Sequence, residues 1–293
     1  MDSLEIFVFS YDRGAHLAWC LDSIARHAPG FRVTVMDDRS ADPRVEAALA
    51  GRDLEVWRPE ARGDARLGGL YANMQAAFDM CGARWAMFVQ DDCQLFRAID
   101  AGALADLGSI FAAPDQMAAT PLIAMGPRQG RRAGQFRAIA GGAAFHFVPP
   151  DGRGSPTAQY FYALSILDVP RLRAAGWRFA GSEAGCARAM QALGAAPMAH
   201  LARPWLAQLP EVPTSRFGRR TLGAALAERL DGPEVRGFRD LPGPPEGDGT
   251  RPPLAEEVLT PTHPGTTRPF VHKGVNRRLW TRALNKLELR ARR

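Results

Sequence analysis

The feature that most constrains this chain is an alternation along residues 4–92, where short apolar runs ending in polar clusters are separated by segments of helical spacing. Residues 4–9 form the first run and end at Ser10-Tyr11-Asp12-Arg13-Gly14. Residues 15–27 follow, with Leu17, Leu21, Ile24 and Ala25 on one helical stripe and Pro29-Gly30 as the stop. Residues 31–36 are the second run and end at Asp37-Asp38-Arg39-Ser40, after which residues 43–50 read as a short helix behind the N-cap Asp42. Residues 54–57 supply a third strand, 70–81 a helix, and 85–89 a fourth strand running into Gln90-Asp91-Asp92. Strands alternating with helices predict an α/β fold with a mostly parallel sheet flanked by helices. Ligands of such sheets bind outside the carboxyl ends of the strands. The three polar clusters therefore become neighbours in one crevice.

Beyond residue 92 the pattern loosens. Residues 126–159 are rich in Gly, Arg and Pro and read as loops around a strand near 143–148. Residues 160–167 suggest another strand, 170–175 a short helix, and 183–193 a longer helix closed by Gly194. No motif marks residues 195–240. Residues 241–270 hold eight prolines and four glycines, which predicts a linker or an extended wrapping arm. Residues 275–289 then have amphipathic spacing at Val275, Leu279, Leu284 and Leu287. The expected organisation is a main domain over residues 1–240, with a Pro/Gly-rich linker and a basic terminal helix over 241–293.

The formal charge of +6 invites a polyanion-binding reading, but its location removes it. Residues 271–293 carry eight Lys/Arg and one acid, leaving 29 basic against 30 acidic residues in the body. A basic face for nucleic acid on the main domain is not supported. The terminal helix, with Trp280 among its arginines, has two readings. One is peripheral contact with an anionic membrane, and the other is packing on its own domain or a partner subunit. The four cysteines form no C-x-x-C pair, so reduced thiols of a cytoplasmic protein are expected. No apolar stretch approaches the length of a membrane span.

The carboxylates carry the chemistry. Asp91-Asp92 after an apolar strand suits a divalent cation on a diphosphate, whose charge grows as a glycosidic bond breaks. A lone Asp-Asp pair is more often a solvated strand-end turn. Asp37-Asp38 repeats the arrangement and could accept from a ribose hydroxyl or a base N–H, or merely form a turn. Tyr11 could stack on a base, and Arg13 could approach phosphates.

Together these residues carry a family resemblance. The run IFVFSYDRGAHLAWCLDSIARHAPGFRVTVMDDRSAD, Asn73 in the helix of residues 70–81, and GARWAMFVQDDCQ resemble family 2 glycosyltransferases of GT-A fold. The resemblance covers residues 4–97 well and 160–194 more loosely. It implies that Ser10, Tyr11, Arg13, Asp38 and Asp91 bind the nucleotide sugar, with Tyr11 and Asp38 at the base, which would be uracil. It implies that Asp92 holds Mn²⁺ or Mg²⁺. Two departures stand out: Asp12 replaces the usual Asn, and Asp91-Asp92-Cys93 lacks the second spaced acid. In the segment RLRAAGWRFAGSEAGCARAMQALG the family's paired acids reduce to Glu183, which the resemblance assigns as general base. The alternative for Glu183 is a simple preference for a helix N-terminus behind Ser182.

The expected function is metal-dependent, inverting transfer of a sugar from a nucleotide diphosphate donor to a glycan or lipid-linked acceptor, as in polysaccharide biosynthesis. The alternatives are a non-catalytic sugar-nucleotide-binding protein of the same fold and a nucleotidyltransferase, for which SYDRGAH is a poor loop. An oxidoreductase is disfavoured because no G-x-G-x-x-G follows the first strand.

Overall fold

The computed structural model describes residues 3–60, 69–126, 135–149, 159–213, 215–216, 219–232, 234–245 and 247–291. Its first part follows the alternation: β1 (Leu4–Ser10), α1 (Gly14–His27), β2 (Arg32–Asp37), α2 (Pro43–Leu49), β3 (Glu55–Trp57), α3 (Gly69–Met80) and β4 (Trp85–Gln90). Then come β5 (Cys93–Leu95), α4 (Ala101–Ile110), β6 (Ala118–Thr120), β7 (Phe136–Ile139), β8 (Ala144–Phe147), β9 (Ile166–Asp168), α5 (Val169–Ala174) and α6 (Glu183–Ala192). The chain continues through β10 (Ala199–Leu201), β11 (Leu206–Gln208), α7 (Leu222–Asp231), α8 (Ala255–Val258) and α9 (Leu279–Ala291).

Among the described residues, nine strands form one sheet in the order β3-β2-β1-β4-β9-β6-β10-β8-β7. β1 pairs in parallel with both β2 and β4, and β2 with β3. β9 runs antiparallel between β4 and β6, β10 returns parallel to β6, and β8 is antiparallel to β10 and β7. All strands except β8 and β9 thus point the same way, so most carboxyl ends open on one edge.

Period-two alternation divides the core between the two faces. Leu4, Ile6 and Val8 of β1, with Trp85, Met87 and Val89 of β4, pack toward α1, α2 and α4. Phe7, Phe9, Ala86 and Phe88 point the other way, toward α3, α5 and α6. The result is a three-layer sandwich whose central strands are buried on both sides.

Two expected elements differ. The strand expected over 160–167 contracts to β9 because side chains take over the backbone groups just before it. Glu183 accepts the Ala163 N–H, Thr120 donates to the Leu164 carbonyl, and only the Ser165 carbonyl accepts from β4, at Phe88. The apolar run is buried, with Phe161 against Trp177 and Phe179, but as irregular chain. Such a run cannot be told from a strand by periodicity alone. The terminal helix begins at Leu279, after a separate 3₁₀ turn at Gly274–Asn276. Val275 is buried against Ala224 and Ala227 of α7, and Thr281 donates to the Val275 carbonyl, so the turn is an anchor.

The Pro/Gly-rich segment is a packed arm. Phe238, Ala255, Leu259 and Phe270 form a satellite core with Phe96, Ile123 and Ala207 of the body. Full burial of Phe238 and Phe270 contributes roughly 1.5–3 kcal/mol each. Residues 127–134 and 150–158, within the expected loops, lie outside the described residues. No described helix is long and apolar enough to cross a membrane.

Candidate functional site

The three polar clusters do meet. The Ser10 carbonyl at the end of β1 accepts the Asp38 N–H at 3.0 Å, and the Tyr11 N–H donates to Asp91 at 3.1 Å. Asp12 adopts a left-handed conformation (φ 52°), which Asn and Asp tolerate best. Its carboxylate accepts the Ala41 and Asp42 N–H groups and holds the loops after β1 and β2 together. Gly14 then opens α1 so close to the backbone of Arg44 that a Cβ there would collide with it.

The two acid pairs divide their labour differently. Asp37 is fully buried and accounted for, accepting from Arg58 at 2.8 Å and from the Ser40 hydroxyl at 2.6 Å. Asp38 is half-buried and its Oδ1 has no partner. Burial raises its pKa against the hydrogen bonds of Asn73 and the Gly69 N–H. Burial also raises the Tyr11 hydroxyl, with help from the neighbouring Asp12 and Asp38.

Asp91 and Asp92 are both buried, and Arg13 reaches across them. One guanidinium nitrogen lies 3.3 Å from Asp91, and the other makes a short hydrogen bond to Asp92 Oδ2. Burial pushes Asp91 up against the pull of Arg13. Burial acts the same way on Asp92, but Arg13 and His272 more than offset it and hold Asp92 down. One carboxylate is thereby driven toward its neutral form while its neighbour stays ionised. His16, in the first turn of α1, is pushed down to about 4 by burial and by Arg13.

His272 is the residue that sequence reasoning missed. It lies in the stretch Phe270-Val271-His272-Lys273-Gly274, next to the Pro/Gly-rich segment, and its apolar approach was the available signal. Residues 209–212 and 271–274 are stitched together: Glu211 and Val212 donate to the Val271 and His272 carbonyls, and Gly274 donates back to Val212. A Cβ on Gly274 would lie 2.8 Å from the Glu211 carbonyl, so only glycine allows this approach. Glu211 itself is buried at φ 60° and pairs with Arg236 and Arg277, which locks the returning segment in place.

The imidazole of His272 faces Asp92. Its Nδ1 lies 3.1 Å from the Leu209 carbonyl, which can only accept, so Nδ1 carries the proton. Its Nε2 sits 3.6 Å from Asp92 Oδ2. The same Asp92 Oδ2 accepts the short hydrogen bond from Arg13. Asp92 and His272 could share a divalent cation only if Arg13 gave up that oxygen. Among the described residues no group of three or more His, Cys, Asp or Glu could hold a metal. Further ligands would come from a bound phosphate and water.

From His272 a cavity of about 420 Å³ runs to Glu183. Gln208 and Tyr162 line it between the two, 3.3 Å apart at their polar atoms. Glu183 opens α6 behind the N-cap Ser182, whose hydroxyl accepts the Gly185 N–H. Burial raises the Glu183 pKa, against one hydrogen bond from the Ala163 N–H. His146 of β8 is hydrogen-bonded to Gln116 at 2.8 Å and does not line this cavity. The four cysteines are buried and unpaired with one another. Ser10, Tyr11, Arg13, Asp38, Asp91 and Asp92 therefore form one cluster, whereas Glu183 lines a cavity that none of the six borders and that meets the cluster at His272, beside Asp92.

No protein-family profile and no curated protein sequence matches this chain. Among solved structures it is similar to S. aureus TarS 1–349, at TM-score 0.49 and 16% identity, over 70% of this chain and 60% of that one. The same fragment in complex with UDP gives 0.48 at 16%, with the same coverage. In complex with UDP-GlcNAc it gives 0.48 at 17%, over 70% and 58%. The chain thus spans about 60% of the length of these structures.

Proposed function

We propose that this protein is an inverting, nucleotide-sugar-dependent glycosyltransferase acting on a hydroxyl acceptor. What supports the reading is a carboxylate cluster at the strand ends, with an orphaned oxygen on Asp38 and Arg13 across Asp91 and Asp92, joined at His272 to the cavity that Glu183 lines. Asp38 would accept an N–H of the base, for which uracil is the proposed partner, with Tyr11 packing against its ring. Arg13 would meet the phosphates, and Asp91 the ribose or diphosphate. Asp92 and His272 would hold Mn²⁺ or Mg²⁺, which when bound offsets the charge gathering on the leaving diphosphate. Glu183 would take the proton from the acceptor hydroxyl. The acceptor oxygen then forms a bond to the anomeric carbon, and the bond from that carbon to the phosphate oxygen breaks. The electron pair leaves on the nucleoside diphosphate.

Arg13 favours a second form of the reading. It already answers the charges of both aspartates, so it can serve as the resident cation without a metal. Thermal stabilisation by a panel of nucleotide sugars, with Mn²⁺ or with EDTA, separates the forms. The metal form expects UDP-sugars to raise Tm more with Mn²⁺ than in EDTA. Equal shifts in EDTA would leave Arg13 in charge, and no shift with any nucleotide sugar would remove the transferase reading.

A further inference from the structure

The cavity that links His272 to Glu183 does not end at the charged groups. It continues beneath the β6-β10-β8-β7 side of the sheet and the returning C-terminal arm, between Leu122, Met125, Phe147, Met198, Leu254 and Phe270. These side chains come from five separate stretches of the chain, so no single element accounts for the apolar character. Arg251, also on the wall, is paired through both terminal nitrogens with Glu257. An oligosaccharide groove needs side-chain donors and acceptors for ring hydroxyls, because each hydroxyl buried without a partner costs about 1–3 kcal/mol. Among the described residues, Tyr162, Gln208, Glu183 and His272 supply polar groups. Thr120 is taken up by the Leu164 carbonyl, Arg251 by Glu257, and His200 stands edge-on to Phe136, so most of the remaining wall is thioether, aliphatic and phenyl.

From this distribution we propose that the chamber binds the apolar body of the acceptor, an alkyl chain or aryl group attached to the reacting alcohol or sugar. The proposal rests on the transferase reading for which end of the acceptor reacts. The acceptor hydroxyl lies at Glu183, which removes its proton as its oxygen bonds the anomeric carbon and the nucleoside diphosphate departs. The apolar body extends away from the diphosphate, between Met125, Phe147 and Leu254. Specificity then depends on the size of the apolar group more than on glycan length. A chamber of this volume lies within the usual range for drug-sized ligands and favours a body of limited length.

The test uses the full chain and a series of n-alkyl β-glucosides from methyl to octyl, each below its micellar concentration. KM is expected to fall roughly two- to four-fold per added methylene until the chamber is filled, with kcat nearly constant. Ala124→Phe, which fills the chamber from its wall, is expected to flatten that dependence. Met125→Gln, which changes polarity at similar volume, is expected to make it shallower. Both variants should keep wild-type donor hydrolysis and UDP affinity, which checks their folding and the nucleotide wall. A KM independent of chain length, or a preference for unsubstituted oligosaccharide, overturns the proposal and leaves the transferase reading standing. Should no donor be turned over, calorimetric titration of the same series decides separately. A Kd that tightens with chain length in the wild type and not in Ala124→Phe upholds the chamber, and a flat series ends it.

Discussion

At the carboxyl ends of β1, β2 and β4, buried carboxylates are met by arginines: Asp37 by Arg58, and Asp91 and Asp92 by Arg13. At the head of α6, Glu183 is met by the Ala163 backbone N–H and has the phenol of Tyr162 nearby. The same residue class is thus handled in opposite ways. Arg13 and His272 together keep Asp92 ionised, as suits charge stabilisation. Burial outweighs the single, longer pairing of Asp91 and, with no cation at all, raises Glu183 toward the range where a carboxylate accepts protons effectively. Separation of pKa values by environment, more than the acids themselves, distinguishes the two roles.

The contrast breaks first at Glu183. Glu183→Gln keeps an oxygen for the Ala163 N–H and removes the proton acceptor, so kcat for transfer should fall about 10²–10⁴-fold with donor affinity unchanged. Retention of more than a tenth of the activity would place the base elsewhere. In the wild type the acidic limb of the rate profile should lie above the ordinary glutamate range, with the rate rising as Glu183 loses its proton. Stability carries the opposite sign. A folded-state pKa raised above the unfolded value means that ionised Glu183 destabilises the fold at neutral pH, and that this cost disappears below the unfolded pKa. Glu183→Gln should therefore be at least as stable as the wild type at pH 7, with any advantage lost near pH 4. A lower Tm at pH 7 would instead assign Glu183 a structural place at the head of α6.

Asp92 comes next. Asp92→Ala should reduce transfer by about 10²–10³-fold, the scale for losing one electrostatic stabiliser of a leaving group. Arg13 keeps Asp91 as its partner, so folding should survive. If the variant loses its response to Mn²⁺ while the wild type retains one, the aspartate acts through a cation. If neither responds, Arg13 is the stabiliser, and Arg13→Gln should then produce the larger loss.

The meeting of the three polar clusters was legible in the sequence because each of its parts is local. An apolar run sets a strand, its last residue sets the turn, and parallel topology brings Ser10, Asp38 and Asp91 to one edge. Glu183 was named through the family resemblance, and its seat at the head of α6 behind the N-cap Ser182 is the local mark the sequence also carried. His272 could not, since its position depends on pairing of residues 271–274 with 209–212, a contact between segments about sixty residues apart that no periodicity records. Phe270 and Leu254 were hidden for the same reason: proline-dense chain reads equally as a linker or a wrapping arm until its few apolar residues find a surface. The role of Asp12 also became plain only in three dimensions, where its left-handed backbone and its two accepted N–H bonds explain the residue without reference to a ligand.

The smallest effect probes the contrast within a single pair of neighbours. Asp37 is satisfied by Arg58 and Ser40, while Asp38 keeps an unpartnered oxygen. Asp38→Ala should weaken donor affinity by about tenfold, or ~1.4 kcal/mol, the worth of one hydrogen bond to a charged group. Its kcat and Tm should hold. Asp37→Ala should do the reverse, lowering stability by about 1–3 kcal/mol because Arg58 and Ser40 lose a buried acceptor. UDP titration and thermal melts of the two variants give four numbers for one test. A shared loss of affinity would mean that the loop after β2 acts as a unit, and that Asp37 holds Asp38 in position through Ser40. A split result would mean that two adjacent aspartates, identical in sequence context, are separated into scaffold and ligand by which one the Arg58 side chain can reach.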